Sequence, residues 1–225
     1  MRYHLQSNGD DAETLLFGPD RGCAEFEQRV LRFDGAAERT TTSGDEVLYV
    51  LGGTGSAIVE GERVDLRPGT ALYVATGVGW TVDEADGLEV LSVVVHDPLP
   101  ADGARHAVVA IDDVEAGEAT AGRMFRLLAP CASVTQFVGY IPVGRAPDHY
   151  HRYDEVVYVL EGEGALHVDG ESAELRQGSC VHLPAKLVHS LENNGPGEMQ
   201  VLGVFRPSGS PAEAYYVDGT AAYQY

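Results

Sequence analysis

Shifting the chain by 109 positions lays residues 35–80 on residues 144–189 without a gap, and 16 of the 46 aligned residues are identical. Asp45, Glu46 and Val47 match Asp154, Glu155 and Val156; Tyr49, Val50 and Leu51 match Tyr158, Val159 and Leu160. Gly53, Gly55, Gly61, Leu66, Arg67 and Gly69 match Gly162, Gly164, Gly170, Leu175, Arg176 and Gly178. One long self-match denotes a duplicated domain, whereas a solenoid needs several short repeats. A length of 225 residues suits two domains of roughly 100 residues each. Inside the repeat, short runs rich in β-branched and aromatic residues alternate with glycine turn signals, the pattern of an all-β protein. No long stretch has helical periodicity; residues 7–16 and 212–216 are expected to form short helical turns at best. The expected division is a first barrel over 1–96, a Pro/Gly/Asp-rich connector over 97–105, a second barrel over 106–207 and a tyrosine-rich tail over 208–225.

The second copy carries chemistry that the first lacks. His149, His151 and Glu155 are followed by His189, three imidazoles and a carboxylate, the mixed nitrogen and oxygen set that suits a divalent transition metal. His149 and His151 are two apart and share a strand face. A straight strand would carry Glu155 roughly 20 Å from His149 at about 3.3 Å per residue, so the chain must bend at Arg152, Tyr153 and Asp154. A strand over 156–160, turns at Gly162, Gly164 and Asp169-Gly170, and Pro184 then allow an antiparallel meander to return His189 to the first two histidines. His167 and His182 have no spacing partner and read as structural or exposed. The positions matching His149, His151, Glu155 and His189 hold Thr40, Thr42, Glu46 and Trp80. One glutamate holds a transition metal poorly, and the indole is expected to fill the space an ion would take, so the first copy reads as structural support, with a second small-molecule pocket as the alternative.

The run from Gly144 to Gly162, with His149, His151 and Glu155 between, resembles the first motif of the cupins. Gly178, Pro184, His189 and Asn193 resemble the second. The resemblance implies two tandem cupin barrels, a bicupin, with His149, His151, Glu155 and His189 as metal ligands and Asn193 as a turn residue. The family usually has glycine two residues after the proline, where this chain has Lys186; that departure concerns the local turn and the pocket rim. Gly52, Gly53, Thr54 and Gly55 look like a phosphate loop until their repeat mates show them to be a barrel turn.

A net charge of -20 argues against nucleic acid and against anionic membrane surfaces, both of which need clustered Lys and Arg. No apolar segment follows Met1 and no apolar run is long enough to span a bilayer. Three widely spaced cysteines fit reduced thiols rather than a disulfide framework. These features together are those of a cytoplasmic protein. Two barrels in one chain can imitate a dimer internally, and the tyrosine tail is expected to pack on its own barrel or on a sister chain rather than serve a site, so monomer and homodimer both remain open.

The ligand set implied by the resemblance leaves up to two open positions on one Fe, Mn, Ni, Zn or Cu ion, as a working centre requires. Glu155 can stay a ligand or act as general base. Tyr153 shares the ligands' parity and is a candidate acid. The favoured expectation is a dioxygenase of an enol or aromatic small molecule, similar to quercetinase-like cupins. The alternatives are a non-oxidative metal-dependent isomerase, lyase or hydrolase, and a non-catalytic ligand-binding bicupin. Fold likeness does not choose among them.

Overall fold

The computed structural model describes residues 2–7, 10–40, 43–99, 103–131 and 133–222, with the side chains of 129 and 130 left aside. Among these residues the regular structure is β-strand apart from three short 3-10 turns, and the chain is all-β. It divides into two compact units, one made of Met1–Asn8, Glu115–Leu127 and Thr135–Tyr225, the other of Gly9–Val114 and Leu128–Val134.

The histidine-bearing unit is built from two sheets. One runs in the order His4–Gln6, Ser179–Leu183, Asp154–Glu161, Met199–Arg206, Thr135–Ile141, Met124–Pro130, Gly117–Glu118. The other runs Glu171–Arg176, Glu163–Val168, His189–Asn193, His149–Tyr150, Tyr215–Tyr216, with Gly144–Arg145 also on His189–Asn193. Strand alternation sends Val157, Val159, Val181, Leu183 and Val201 inward from the first sheet and Leu166, Val168 and Leu191 inward from the second, and these side chains make one buried cluster. At about 25 cal/mol per Å² of apolar surface this cluster is the main force that closes the unit. The polar site sits beside it, on the same inward parity as Val157: Glu155 is two residues before it on Asp154–Glu161.

The other unit is one sheet ordered Glu13–Phe17, Phe26–Phe33, Gly79–His96, Gly44–Val59, Thr70–Val74, His106–Ala110. Its two long strands bend where their register shifts, between Val50 and Gly52, Gly52 and Thr54, and Ser56 and Ala57. Gly53 permits that bend: its φ is 67°, and a Cβ there would meet the Gly87 carbonyl oxygen at 2.1 Å.

The duplication is visible in the backbone. Left-handed residues recur at the same offset: Gly53 with Gly162, Glu60 with Asp169, Gly61 with Gly170, Gly69 with Gly178, and Gly77 with Lys186. The last pair explains the departure noted in the sequence. Gly77 has φ 78° and Lys186 has φ 66°, so the lysine keeps a turn that glycine adopts at less cost. Its side chain is exposed, and its N–H donates to the His151 carbonyl at 2.8 Å.

Three features differ from the sequence expectation. The N-terminal strand His4–Gln6 pairs with Ser179–Leu183 of the histidine-bearing unit, and His106–Ala110 pairs with Thr70–Val74 of the other. The edge strands are thus exchanged relative to a division at 96 and 106. Glu13–Phe17, which overlaps the segment 7–16 read as helical turns at best, is a strand, because Leu16 and Phe17 are buried and Leu15 pairs with Arg29. The tail through residue 222 belongs to the histidine-bearing unit, where Ala212 lies in a turn and Tyr215–Tyr216 pairs with His149–Tyr150. Tyr223 and Tyr225 lie outside the described residues.

Candidate metal centre

The strand His149–Tyr150 stops, residues 151–153 bend, and Asp154–Glu161 resumes in the other sheet. This is the bend that the separation of His149 from Glu155 demands. His149 lies directly opposite His189 in the antiparallel register, and their ring centroids are 4.6 Å apart. His151 stands nearly at right angles to His149, with centroids 5.2 Å apart.

Each imidazole is oriented by a backbone carbonyl. Nδ1 of His149 bonds the Pro147 carbonyl at 2.8 Å, Nδ1 of His151 that of Glu213 at 2.7 Å, and Nδ1 of His189 that of Leu187 at 2.9 Å. A carbonyl oxygen only accepts, so each Nδ1 carries the proton and each Nε2 is left with its lone pair. The three rings offer ligand atoms within 4.8 Å of one another. Burial, followed by mutual repulsion of the rings, pushes His151 down to about 4 and His189 well below its ordinary value; His149 is lowered too, chiefly by burial. Three buried, neutral, outward-locked nitrogen donors fit a divalent ion, and the carbonyl bonds are the kind of outer contact that holds ligating histidines in place.

Glu155 is buried and lines the same cleft, but it does not belong to the three-imidazole cluster. Burial raises its carboxyl to about 8, against the opposing pull of Arg123. Tyr153 is turned elsewhere. Its hydroxyl donates to the carbonyls of Ser210 and Glu213, its ring stacks on His151 and packs against Phe205 and Phe137, and it is not among the residues lining the cleft. Tyr153→Phe is expected to lower unfolding free energy by about 1 kcal/mol in urea titrations. Turnover should fall far less than the roughly 100-fold or more that loss of a general acid produces.

The remaining residues singled out in the sequence fall outside the cleft. Asn193 is buried and ties a turn, donating to the Ile141 and Gly197 carbonyls and accepting from the Gly195 N–H. His167 bonds Ser172 and Glu192. His182, next to Leu183 in register against Glu155, has the opposite parity. Cys180 is buried, with its thiol pushed up to about 12 by desolvation; Cys23, Cys131 and Cys180 form no disulfide.

Two contributors were not read from the sequence. Arg123, after the turn Thr120–Gly122, lines the cleft and donates to the Leu191 carbonyl at 2.8 Å; no motif or period marks it. The tail supplies Pro211 and Ala214 to the cleft wall and the Glu213 carbonyl to His151. The cleft opens to solvent and holds a cavity of about 70 Å³.

The matching positions of the first unit make a closed arrangement. The buried Trp80 donates its indole N–H to Glu46 Oε2 at 3.2 Å, and Ser92 donates to Oε1 at 2.5 Å. The indole occupies the carboxylate that a metal would need. Thr40 is described and ends the strand Ala37–Thr40; Thr42 lies outside the described residues.

Comparison with known proteins agrees with this construction. Residues 136–205 match the family model of the cupin domain. The polyketide synthase protein CurC of Streptomyces cyaneus is 29% identical over 126 residues, 53% of this chain and 82% of that protein. Quercetin 2,3-dioxygenase of Bacillus subtilis is 40% identical over 68 residues, 28% of this chain and 20% of that protein. Among solved structures, a mutant of Bacillus subtilis oxalate decarboxylase OxdC superimposes with a TM-score of 0.73 at 13% identity, covering 96% of this chain and 79% of the other; at that identity the likeness concerns the fold. No helix among the described residues is long and apolar enough to cross a membrane, which leaves β-barrel spans unaddressed. The two-sheet unit, the converging imidazoles and the matched segment together mark residues 136–205 as similar to the cupin domain.

Proposed function

We propose that the chain is a metal-dependent enzyme acting on a small organic molecule, a dioxygenase of an enol or aromatic substrate. The observation that carries this reading is the convergence of three Nε2 lone pairs on an apolar-walled cleft that remains open on one side. His149, His151 and His189 would hold the ion, with Glu155 as the fourth ligand by family resemblance. A bound divalent ion supplies Lewis-acid polarisation of an enolate or carbonyl oxygen and, when redox-active, a partner for dioxygen. Phe125, Phe137 and Phe205 give a flat substrate an apolar seat and exclude water. The first unit, with Trp80 bonded to Glu46, serves as a degenerate support without an ion.

A second reading is favoured by one observation. Glu155 stands outside the imidazole cluster, and its carboxyl is raised to about 8, which suits a general base near neutral pH. That arrangement supports a non-oxidative isomerase or lyase, with Glu155 moving a proton at a carbon next to the polarised oxygen. An oxygen electrode separates the two. Protein loaded with Fe, Mn or Ni and given small enolic and aromatic substrates is expected to consume oxygen in step with turnover; turnover that proceeds equally without air rules out the dioxygenase. Glu155→Gln adds a second arm. Lost metal marks Glu155 as a ligand, whereas retained metal with turnover reduced at least about 100-fold marks a base.

A further inference from the structure

Arg123 is the only Lys or Arg among the described residues that line the cleft. Ala121 and Gly122 both adopt left-handed conformations, with φ 59° and 69°, and the Ala119 N–H donates to the Arg123 carbonyl at 2.8 Å. This tight turn delivers the side chain inward. Its guanidinium donates one N–H to the Leu191 carbonyl. A guanidinium carries five donors, and no described carboxylate lies within 4.0 Å of this one. Burial lowers its pKa to about 10, so it stays charged at neutral pH while desolvated. Glu155 in the same cleft attracts it across a gap wider than an ion pair, and a half-buried charge whose donors face apolar walls gains from an anion in direct contact. The walls around it, Met124, Phe125, Phe137 and Phe205, are apolar.

We propose that Arg123 is the anchor for the carboxylate of a small organic acid whose apolar, preferably aromatic, body lies against those walls and whose far end faces the three histidines. This deepens the reading of the cleft as a substrate site and rests on it. The guanidinium fork matches a carboxylate bidentately. Phosphate would be served poorly by one arginine among phenylalanines. The overall charge of -20 does not oppose this, because exposed charges beyond about 10 Å are screened at 0.1 M salt. The anchor sets specificity by rejecting neutral analogues, which would leave the guanidinium unpaired.

The test is calorimetric titration at pH 7 of 3-phenylpropanoate and of its uncharged counterpart 3-phenylpropanamide, without turnover, into metal-loaded and chelator-stripped protein. Wild type is expected to prefer the acid by roughly 10- to 100-fold in both forms. Arg123→Met should bring the two ligands to equal affinity. Arg123→Gln, which keeps a donor for the Leu191 carbonyl, should do the same, and Arg123→Lys should restore part of the preference. Circular dichroism confirms that the variants are folded, and Arg123→Gln decides the matter if Arg123→Met is not. The proposal is overturned if wild type shows no acid preference, if the acid does not bind, or if the preference survives in Arg123→Gln. A preference that vanishes on stripping the metal also overturns it, since the ion would then be the anchor. An acid preference that tracks Arg123, in a protein that turns over no substrate, leaves the anchor standing and removes the enzymatic reading instead.

Discussion

His151→Ala is expected to abolish metal uptake: wild type should carry one ion per chain and the variant essentially none, measured by elemental analysis after dialysis against a metal buffer. His189→Ala should behave alike. Loss of a contact that merely orients a ligand typically costs 10- to 100-fold in affinity, and removing the ligand itself should exceed about 100-fold. Both rings are buried, so each deletion also leaves a hole, and thermal melts in the presence of chelator separate that effect from lost binding. The expected stoichiometry of one also tests the first unit, where Glu46 is occupied by Trp80 and Ser92. Glu46→Gln should leave metal content unchanged. Two ions per chain would end the reading of the first unit as metal-free, and full metal content in His151→Ala would end the reading of this cluster as the metal site.

Ending the chain after Pro207 is expected to weaken metal binding by about 10- to 100-fold, although it removes no ligand. The tail carries the Glu213 carbonyl that fixes the His151 tautomer and the Tyr215–Tyr216 strand that pairs with His149–Tyr150. It also carries two walls of the cleft, Pro211 and Ala214. Without that carbonyl the proton on His151 can move to Nε2, and the ring presents a donor where a lone pair is required. Stability should fall as well, since the buried ring of Tyr215 accounts for roughly 1.5–3 kcal/mol on area grounds. Competition against a chromogenic chelator reads the affinity and a urea titration reads the stability. Glu213→Ala is the control: the acceptor is main chain, so this variant should bind metal as wild type does. Unchanged affinity in the shortened chain would remove the tail from the site.

Much of this arrangement is legible in the residues themselves. The spacing of His149 and His151 fixes a shared face, and the distance to Glu155 forces the bend. The glycines at the 109-residue offset mark turns whose left-handed backbone recurs in both halves. What stays hidden is what the path of the chain decides. Arg123 comes from an irregular segment with no period to reveal its direction. The service of Glu213 is a carbonyl, which every residue possesses, so no side-chain pattern announces it. Tyr153 has the right parity, but the bend hands its hydroxyl to the tail. The strand at Glu13–Phe17 is chosen by its partner across the sheet rather than by local propensity.

The exchanged edge strands limit how far this protein can be treated as modular. A fragment severed within residues 97–105 would keep His4–Gln6 without its partner strand and would leave Thr70–Val74 uncovered along one side, a row of open N–H and C=O groups that invites self-association. Transplanting the histidine-bearing half into another scaffold therefore requires that the first seven residues travel with it, as a circular permutation or as a separately supplied peptide.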